Sequence, residues 1–432
     1  MEQETARQLL AFLDASPSCY HAVAQLEQRL CREGYQRLWE HQPWHLERGG
    51  RYHVVRGDSS LIAFRIPREA PRGFLLAAGH SDSPTLKLRE EPERPSAGKT
   101  VRLSVEPYGG AILRSWLDRP LSVAGRVVVR DGKRLYSRLI NVDKDLLVIP
   151  SVAIHMDRGV NKGTPLDPAV DLLPLLGCGE PGAFRQLLAE AAGTAEDALM
   201  STELFLYPRM SGTVLEGGLV VSPRLDDLQC VFGCMEGFLA AEESESIPVL
   251  CVFNNEEVGS NTRQGADSTF LTDVLSRVSA ALGRSPEEHL AAVAESFLIS
   301  ADNAHAIHPA HPEYADKGDC PMLNGGIVIK YNAAQRYTTD ALSAAVFQQL
   351  CREAEVPVQR YSNRADLPGG STLGNISSAH LSVPSVDIGL PQLAMHSCCE
   401  TAGLLDTAYL VRAMRRYFAS TLRRLPDGGI EL

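Results

Sequence analysis

The chain has 432 residues, of which 44% are hydrophobic and 22% are charged, so it can bury the cores of about two or three domains. Its 42 basic and 53 acidic residues give a net charge of −11, and no basic run occurs, which disfavours binding to nucleic acid or to an anionic membrane surface. The ten cysteines form no C-x-x-C pair, and neither a secretory leader nor a long apolar run is present. We therefore expect a cytoplasmic protein.

The predicted elements change character twice along the chain. Residues 1–88 have the spacing of two helices followed by strands, and residues 89–217 are short β-branched segments with a hairpin turn at Asp131-Gly132. Residues 218–432 return to buried strands that alternate with helices, ending in a helix over 405–425. This order predicts an α/β fold: a doubly wound mixed sheet in a discontinuous domain (1–88 plus 218–432), interrupted by an inserted all-β domain (89–217).

Acidic and imidazole side chains stand where the predicted strands end. In an open α/β sheet, ligands bind outside the carboxyl ends of the strands, so side chains at these positions gather at one rim. Those at the strand ends, or at the start of the helix beside them, are His80, Asp226, Glu256, Glu257, Asp302 and His396. Taken singly, each has an ordinary explanation, such as a turn, a helix N-cap or a solvated loop. Their coincidence at one edge favours a functional site.

Carboxylates and imidazoles without a thiolate are typical of a hydrolytic pair of zinc-like ions. Asp226 is the candidate bridge, because a carboxylate can give one oxygen to each ion. His80 and Asp302 complete the ligands of one ion in this interpretation, while Glu257 and His396 complete those of the other. The sequence therefore predicts a two-metal site at the rim.

Two further acids have predicted roles beside the metal ligands. Glu256 is adjacent to a ligand without being one, so it is the candidate general base for a water molecule. Asp82 lies two residues after His80, where a carboxylate can hold the imidazole in the tautomer that binds metal. Asp82 is therefore grouped with Glu256 among the candidate catalytic residues.

Several sequence blocks in this order resemble the aspartyl-aminopeptidase-type metallopeptidases, and the resemblance spans essentially the whole chain. The blocks include GHSDSP (79–84), IPSVAIHMDRGVN (149–161), SPRLDDL (222–228), FNNEEVGS (253–260), SADNAHAIHP (300–309), QRYTTD (335–340) and PQLAMHS (391–397). The resemblance implies the same five metal ligands and the same base. It further implies that the insert forms a dimer and that dimers assemble into a dodecamer.

The resemblance also implies that His155 is a catalytic and substrate-binding residue, which reaches a neighbouring subunit's site. From the residues alone, His155 in VAIHM would be a buried strand residue. Members selective for acidic N-terminal residues carry a lysine just before the QRY segment, where this chain has Ala333-Ala334. Arg336 or Lys330 could take the place of that cation as a substrate-binding residue.

The predicted activity is therefore that of a metal-dependent aminopeptidase acting on peptides, including those with N-terminal Asp or Glu. Its cofactors would be two divalent ions, and zinc is the expected metal. The same donor atoms also accept cobalt or manganese. Two alternatives stay open from the sequence. One is another two-metal hydrolase on this fold, such as a deacylase or a broad-specificity aminopeptidase, and the other is a non-catalytic assembly protein.

Overall fold

The computed structural model of the chain describes residues 2–367, 369–370 and 372–432. Its helices in chain order are α1 (Glu2–Asp14), α2 (Cys19–Arg32), α3 (Ala183–Ala192), α4 (Leu225–Ala240), α5 (Phe270–Ala281), α6 (Pro286–Ala294), α7 (Ala341–Glu353), α8 (Leu373–Ser378) and α9 (Asp406–Phe418). Within these described residues, no helix is both long enough and apolar enough to cross a bilayer.

Strands occur in all three stretches of chain described above. The first four are β1 (Gln36–Leu38), β2 (Arg51–Arg56), β3 (Ser60–Arg65) and β4 (Phe74–His80). The next six are β5 (Thr85–Ser96), β6 (Thr100–Tyr108), β7 (Leu121–Asp131), β8 (Arg134–Asn141), β9 (Leu175–Cys178) and β10 (Leu199–Pro208). The remainder are β11 (Thr213–Leu215), β12 (Leu219–Ser222), β13 (Ile247–Phe253), β14 (Phe297–Ala301), β15 (Ala304–His305), β16 (Ile327–Tyr331), β17 (Val358–Ser362), β18 (Ser385–Gly389), β19 (Pro391–Leu393), β20 (Glu400–Gly403), β21 (Arg423–Arg424) and β22 (Ile430–Glu431).

A mixed sheet is the centre of the fold. Among the described residues it has nine strands in the order β1-β2-β3-β13-β4-β14-β18-β16-β17. Strands β13, β4, β14 and β18 are mutually parallel, so their carboxyl ends meet at one edge. Alternate residues of these strands enter two separate apolar clusters, one packed with α2, α4, α7 and α9 and the other with α5 and α6. Helices therefore cover both faces, which confirms the predicted doubly wound α/β class.

A second sheet is built from the stretch predicted as the insert. Its six strands, in the order β8-β7-β10-β5-β6-β9, lie between residues 85 and 208. The predicted hairpin is present, because Asp131 pairs with Arg134 across a two-residue loop. The stretch also contains α3, which the all-β prediction omits, although Phe184, Leu188 and Ala192 repeat at helical spacing and are buried against this sheet.

A small third sheet connects segments of the chain that lie beside the carboxyl ends of the central strands. It has the order β11-β12-β20-β19-β15 within the described residues. Strand β12 leads directly into α4, the turn between β19 and β20 covers 394–399, and β15 follows β14 after Asp302-Asn303. This sheet therefore brings three loop segments to the rim of the central sheet.

The last predicted helix is shorter than expected. The apolar pattern predicts a helix over 405–425, but α9 ends at Phe418 and Arg423–Arg424 pair with Ile430–Glu431. The Ser420 hydroxyl donates to the Tyr417 carbonyl at 2.7 Å, and such side-chain bonds to the backbone compete with helix continuation. Ser420 and Leu422 remain buried, so the apolar pattern continues after the helix has stopped.

Candidate metal centre

Three neighbouring strands deliver four of the predicted site residues. His80 is the last residue of β4 and lies opposite Phe253, the last residue of β13. Glu256 and Glu257 follow β13 after two asparagines, and Asp302 directly follows β14, which is parallel to β4. Because the three strands are parallel and in register, these side chains converge at one rim.

The small sheet delivers the other two ligand candidates. Asp226 lies at the start of α4 with a non-helical backbone (φ −81°, ψ 114°), so its carboxylate is not aligned with the helix side chains that follow. His396 lies in the turn between β19 and β20 with φ at +67°. Both segments therefore depart from regular structure where they reach the rim.

The Asp226 carboxylate lies between the two histidines. Its Oδ1 is 3.6 Å from Nε2 of His80, and its Oδ2 is 3.4 Å from Nε2 of His396. Asp302 Oδ1 is 3.8 Å from the same nitrogen of His80, and Glu257 Oε2 is 3.5 Å from that of His396. The arrangement thus has two donor sets, each with one imidazole and one terminal carboxylate, that share Asp226.

Backbone carbonyls orient both imidazoles. Nδ1 of His80 is 3.0 Å from the Asp82 carbonyl oxygen, and Nδ1 of His396 is 3.2 Å from the Gly110 carbonyl oxygen. A carbonyl accepts a hydrogen bond, so Nδ1 carries a proton in each ring, which leaves Nε2 as the nitrogen that can bind a metal. In both histidines Nε2 faces Asp226.

The residues fit a pair of divalent ions. Asp226 Oδ1 and Glu257 Oε1 are buried, and neither accepts a hydrogen bond from any described residue. A buried carboxylate oxygen without a donor is costly, whereas a cation satisfies it. Ligand atoms of Asp226, Glu257 and His396 lie within 4.8 Å of one another, as do those of the His80, Asp227 and Asp302 group.

The pKa shifts of the clustered carboxyl groups also favour a bound cation. Burial raises the pKa of Glu257 well above its usual value, and the neighbouring Asp226 raises it further. Burial raises the pKa of Glu256 to about 7, with Asp302 and Asp82 adding to the effect against the opposing influence of His80. Burial opposes ionisation of Asp226 as well, but the neighbouring imidazoles of His396 and His80 hold its pKa below the usual range. Glu256 and Glu257 therefore resist ionisation in this buried cluster, and a bound cation would favour their charged forms.

The Asp82 carboxylate makes contacts that the sequence did not predict. Its oxygens accept the backbone N–H groups of Glu256 and Glu257, each at 3.2 Å, and the Tyr108 hydroxyl at 2.7 Å. Its Oδ1 is also 3.4 Å from Nδ1 of His80, which is farther than the Asp82 carbonyl oxygen. Asp82 thus contacts the histidine predicted for it and also holds the two glutamates that follow β13.

Two buried charged residues near the ligands were not assigned these contacts from the sequence. Glu400, the first residue of β20, accepts the backbone N–H groups of Asp226 and His396. Lys330 donates to the Asn303 carbonyl at 2.8 Å and to Asp302 Oδ2 at 3.3 Å. Lys330 lies inside the apolar strand β16, which signals that its charge needs a partner, whereas Glu400 begins the short strand β20 without such a signal.

The side chains of His155 and Arg336 lie outside the cluster of predicted metal ligands. His155 lies in an exposed turn between β8 and β9, so the buried strand suggested by the residues alone is wrong for it. Arg336 is exposed and lines a cleft beside the metal cleft together with Ala333 and Ala334. Within the described part of the chain, neither side chain forms an ion pair with a predicted metal ligand.

Comparison with known proteins identifies the family. The family model described as "Aminopeptidase I zinc metalloprotease (M18)" matches residues 12–418. A probable M18 family aminopeptidase 2 from Clostridium acetobutylicum is 40% identical over 96% of this chain and 99% of its own length.

Solved structures agree with that match. A chain from the cryo-EM structure of the Ape4 and Nbr1 complex superimposes with a TM-score of 0.94 at 34% identity, over 97% of this chain and 86% of that one. The S. cerevisiae mApe1 dodecamer gives a TM-score of 0.86 at 26% identity, over 96% of each chain. The chain therefore belongs to the M18 family of zinc metalloproteases and is a metal-dependent aminopeptidase.

Proposed function

We propose that the protein removes the N-terminal residue from peptides by a two-metal mechanism in which Glu256 is the general base. The observation that carries this proposal is the position of Asp226, whose two oxygens lie 3.6 and 3.4 Å from Nε2 of two different histidines. One carboxylate shared between two otherwise separate donor sets is what a bridging ligand requires. A single-ion site would use only one of the two histidines as a ligand.

The donor chemistry assigns the ligands of each ion in this proposal. His80 and Asp302 would hold one ion, Glu257 and His396 would hold the other, and Asp226 would serve both. When bound, the ions supply Lewis acidity toward a peptide carbonyl and toward water. Zinc is the metal in the family's description, and cobalt and manganese accept the same nitrogen and oxygen donors.

The chain's own residues perform the proton transfers. Glu256 takes the proton of the attacking water and delivers it to the leaving amine nitrogen, so the carboxyl group returns to its starting form. A pKa near 7 suits a group that must both accept and donate a proton close to neutral pH. The carboxylates of the centre provide acceptors for the free amino terminus of the substrate, which favours exopeptidase action.

We propose N-terminal Asp or Glu as the preferred residue, with Arg336 as the cation that binds its side chain. Arg336 is exposed in a cleft beside the metal cleft, whereas the ammonium group of Lys330 is buried and already bound to Asp302. An ion pair of this kind contributes about 1.5–3 kcal/mol to binding. Arg336→Gln should therefore lower kcat/KM about 10-fold or more for Asp substrates and leave Leu substrates unchanged.

We further propose that the chain assembles as a dodecamer and that His155 acts in a neighbouring subunit's site. Solvent-exposed apolar side chains surround this histidine, since Val152, Ile154 and Met156 are 56%, 47% and 84% exposed. The solved mApe1 structure is described as a dodecamer. The test co-expresses His155→Ala with Glu256→Gln: activity returns in mixed oligomers if the histidine crosses between subunits, and stays absent if each subunit uses its own.

The test of the main proposal is a panel of aminoacyl-p-nitroanilides carrying Asp, Glu, Leu, Ala or Lys. Initial rates are measured after chelation and again after zinc, manganese or cobalt is restored, with Glu256→Gln as the base-deficient control. Turnover that returns with metal in the parent protein and not in Glu256→Gln supports the mechanism. Turnover of N-acyl amino acids instead would favour the deacylase alternative, and no turnover by a folded, metal-loaded protein would favour an assembly role.

A further inference from the structure

Three buried carboxylates surround the centre without being predicted ligands, and each accepts backbone N–H groups of ligand or base residues. Asp82 holds the two glutamates after β13, and Asp227 accepts the N–H of His80 at 3.0 Å. Glu400 differs from both because its two oxygens hold the shared residue Asp226 and one of the two histidines, His396. Its Oε2 accepts from Asp226 at 3.0 Å and its Oε1 from His396 at 2.8 Å.

The position of Glu400 follows from strand register. It is the first residue of β20 and pairs with Ser222, the last residue of β12, four residues before Asp226. It also lies four residues after His396, at the other end of the β19–β20 turn. The residue is 2% exposed, so both hydrogen bonds are shielded from water.

The two donor sets depend on Glu400 to different degrees. His80 belongs to a fully buried central strand, β4, which is hydrogen-bonded on both sides. The His396 side chain is 32% exposed, and its residue lies in a turn. Among the described residues, the polar contacts of its ring other than with ligand carboxylates are limited to the Gly110 carbonyl. The Glu400 bond to its backbone N–H therefore does more to fix this histidine than any comparable bond does for His80.

We propose that Glu400 is a positioning residue that fixes the bridging carboxylate of Asp226 and the imidazole of His396 together, so that the ion on the His396 side depends on it. This inference rests on the two-metal site of the proposed function. Loss of such outer contacts typically lowers metal affinity 10–100-fold. The ion held by His80 and Asp302 should be affected much less, since Asp226 is the one predicted ligand of that ion that Glu400 contacts, whereas Glu400 contacts two ligands of the other ion.

The test measures metal binding directly, without reference to turnover. The protein is stripped with a chelator and titrated with zinc in a calorimeter, as the parent chain and as Glu400→Gln. The amide is isosteric, but its NH₂ group cannot accept a backbone N–H, so one of the two bonds is lost. We expect two ions per chain in the parent, and in Glu400→Gln one ion bound as before and one bound 10–100-fold more weakly.

Asp406→Asn is the matched control. Asp406 is also a fully buried carboxylate that accepts two backbone N–H groups, from Asn324 at 2.7 Å and Gly326 at 3.0 Å, but it contacts no predicted ligand. We expect this variant to lose stability while binding both ions as the parent does. Glu400→Asp, which keeps the charge but is one methylene too short to reach both amides, repeats the test if the amide variant fails to fold.

The outcomes separate the two proposals. Equal weakening of both ions in the Glu400 variants, or no weakening of either, overturns the role of Glu400 while leaving the two-metal site intact. The same selective loss in Asp406→Asn would also overturn it, since the effect would then follow from lost stability. A parent protein that binds only one ion per chain would instead refute the proposed function itself.

Discussion

Gly109 offers a sharp test of how closely the inserted sheet approaches the metal centre. It follows β6, has φ at +71°, and a Cβ placed on it would lie 3.0 Å from Cβ of Glu257. Carbon atoms in contact prefer separations of about 3.5–4.0 Å, so Gly109→Ala must displace Glu257 or the loop by about 0.5–1 Å. A displacement of about 1 Å in a catalytic group can cost about 100-fold in rate.

Gly98→Ala is the control for backbone strain. Gly98 has nearly the same φ, +70°, in the turn between β5 and β6, and a Cβ there would meet nothing within 4 Å. Both substitutions place alanine in the left-handed region, which costs about 1–2 kcal/mol. Only Gly109→Ala adds the contact with Glu257, so the difference between the two variants isolates that contact.

The two variants are compared by urea denaturation and by kcat/KM at saturating zinc. We expect both to lose about 1–2 kcal/mol in the free energy of unfolding. Gly109→Ala should also lose 10–100-fold in kcat/KM, by the displacement argument, while Gly98→Ala stays within about twofold of the parent. Equal kcat/KM in the two variants would refute the idea that this glycine sets the position of Glu257.

Three further predictions follow from other contacts. Glu256→Gln should lower kcat about 10²–10⁴-fold while the chain still binds two ions, and an unchanged kcat would remove Glu256 as the base. Chelation should lower the free energy of unfolding by about 2.7 kcal/mol for each ion present at 100 times its Kd, and an unshifted urea midpoint would argue against a loaded centre. Tyr417→Phe removes a buried hydroxyl lying 3.0 Å from the Leu76 carbonyl and 2.7 Å from the Phe297 carbonyl, so stability should fall by about 1–3 kcal/mol. Its kcat should stay unchanged, because these carbonyls lie away from the carboxyl ends of the strands; a fall in kcat measured well below the melting temperature would contradict this.

Sequence reasoning can identify candidate ligand residues whose side chains lie at strand ends. His80, Asp226, Glu257, Asp302 and His396 can be found because buried strands are visible as apolar runs and parallel strands share one edge. The family resemblance points to the same residues independently. The fold class is predictable for the same reason, since alternating strands and helices leave few arrangements.

The residues that act on the backbone are harder to predict. Glu400 binds amide hydrogens of residues 174 and 4 positions away, and no side-chain pattern records such partners. The register of β12 against β20, which places Glu400, depends on tertiary pairing. The extent of α9 and the presence of α3 were missed for a related reason, because the apolar pattern around them is shared by neighbouring segments of different structure.

Three consecutive residues at the end of β6, 108–110, contact residues of the candidate metal centre. The Tyr108 hydroxyl binds the Asp82 carboxylate, and the Gly110 carbonyl binds the His396 ring, with Gly109 packed against Glu257 between them. A chain in which residues 85–208 were replaced by a short linker would keep all five predicted ligands and still lack these supports. The geometry of the centre therefore depends on the docking of the six-stranded sheet, and a movement of the sheet would be carried to Asp82, Glu257 and His396 through three consecutive residues.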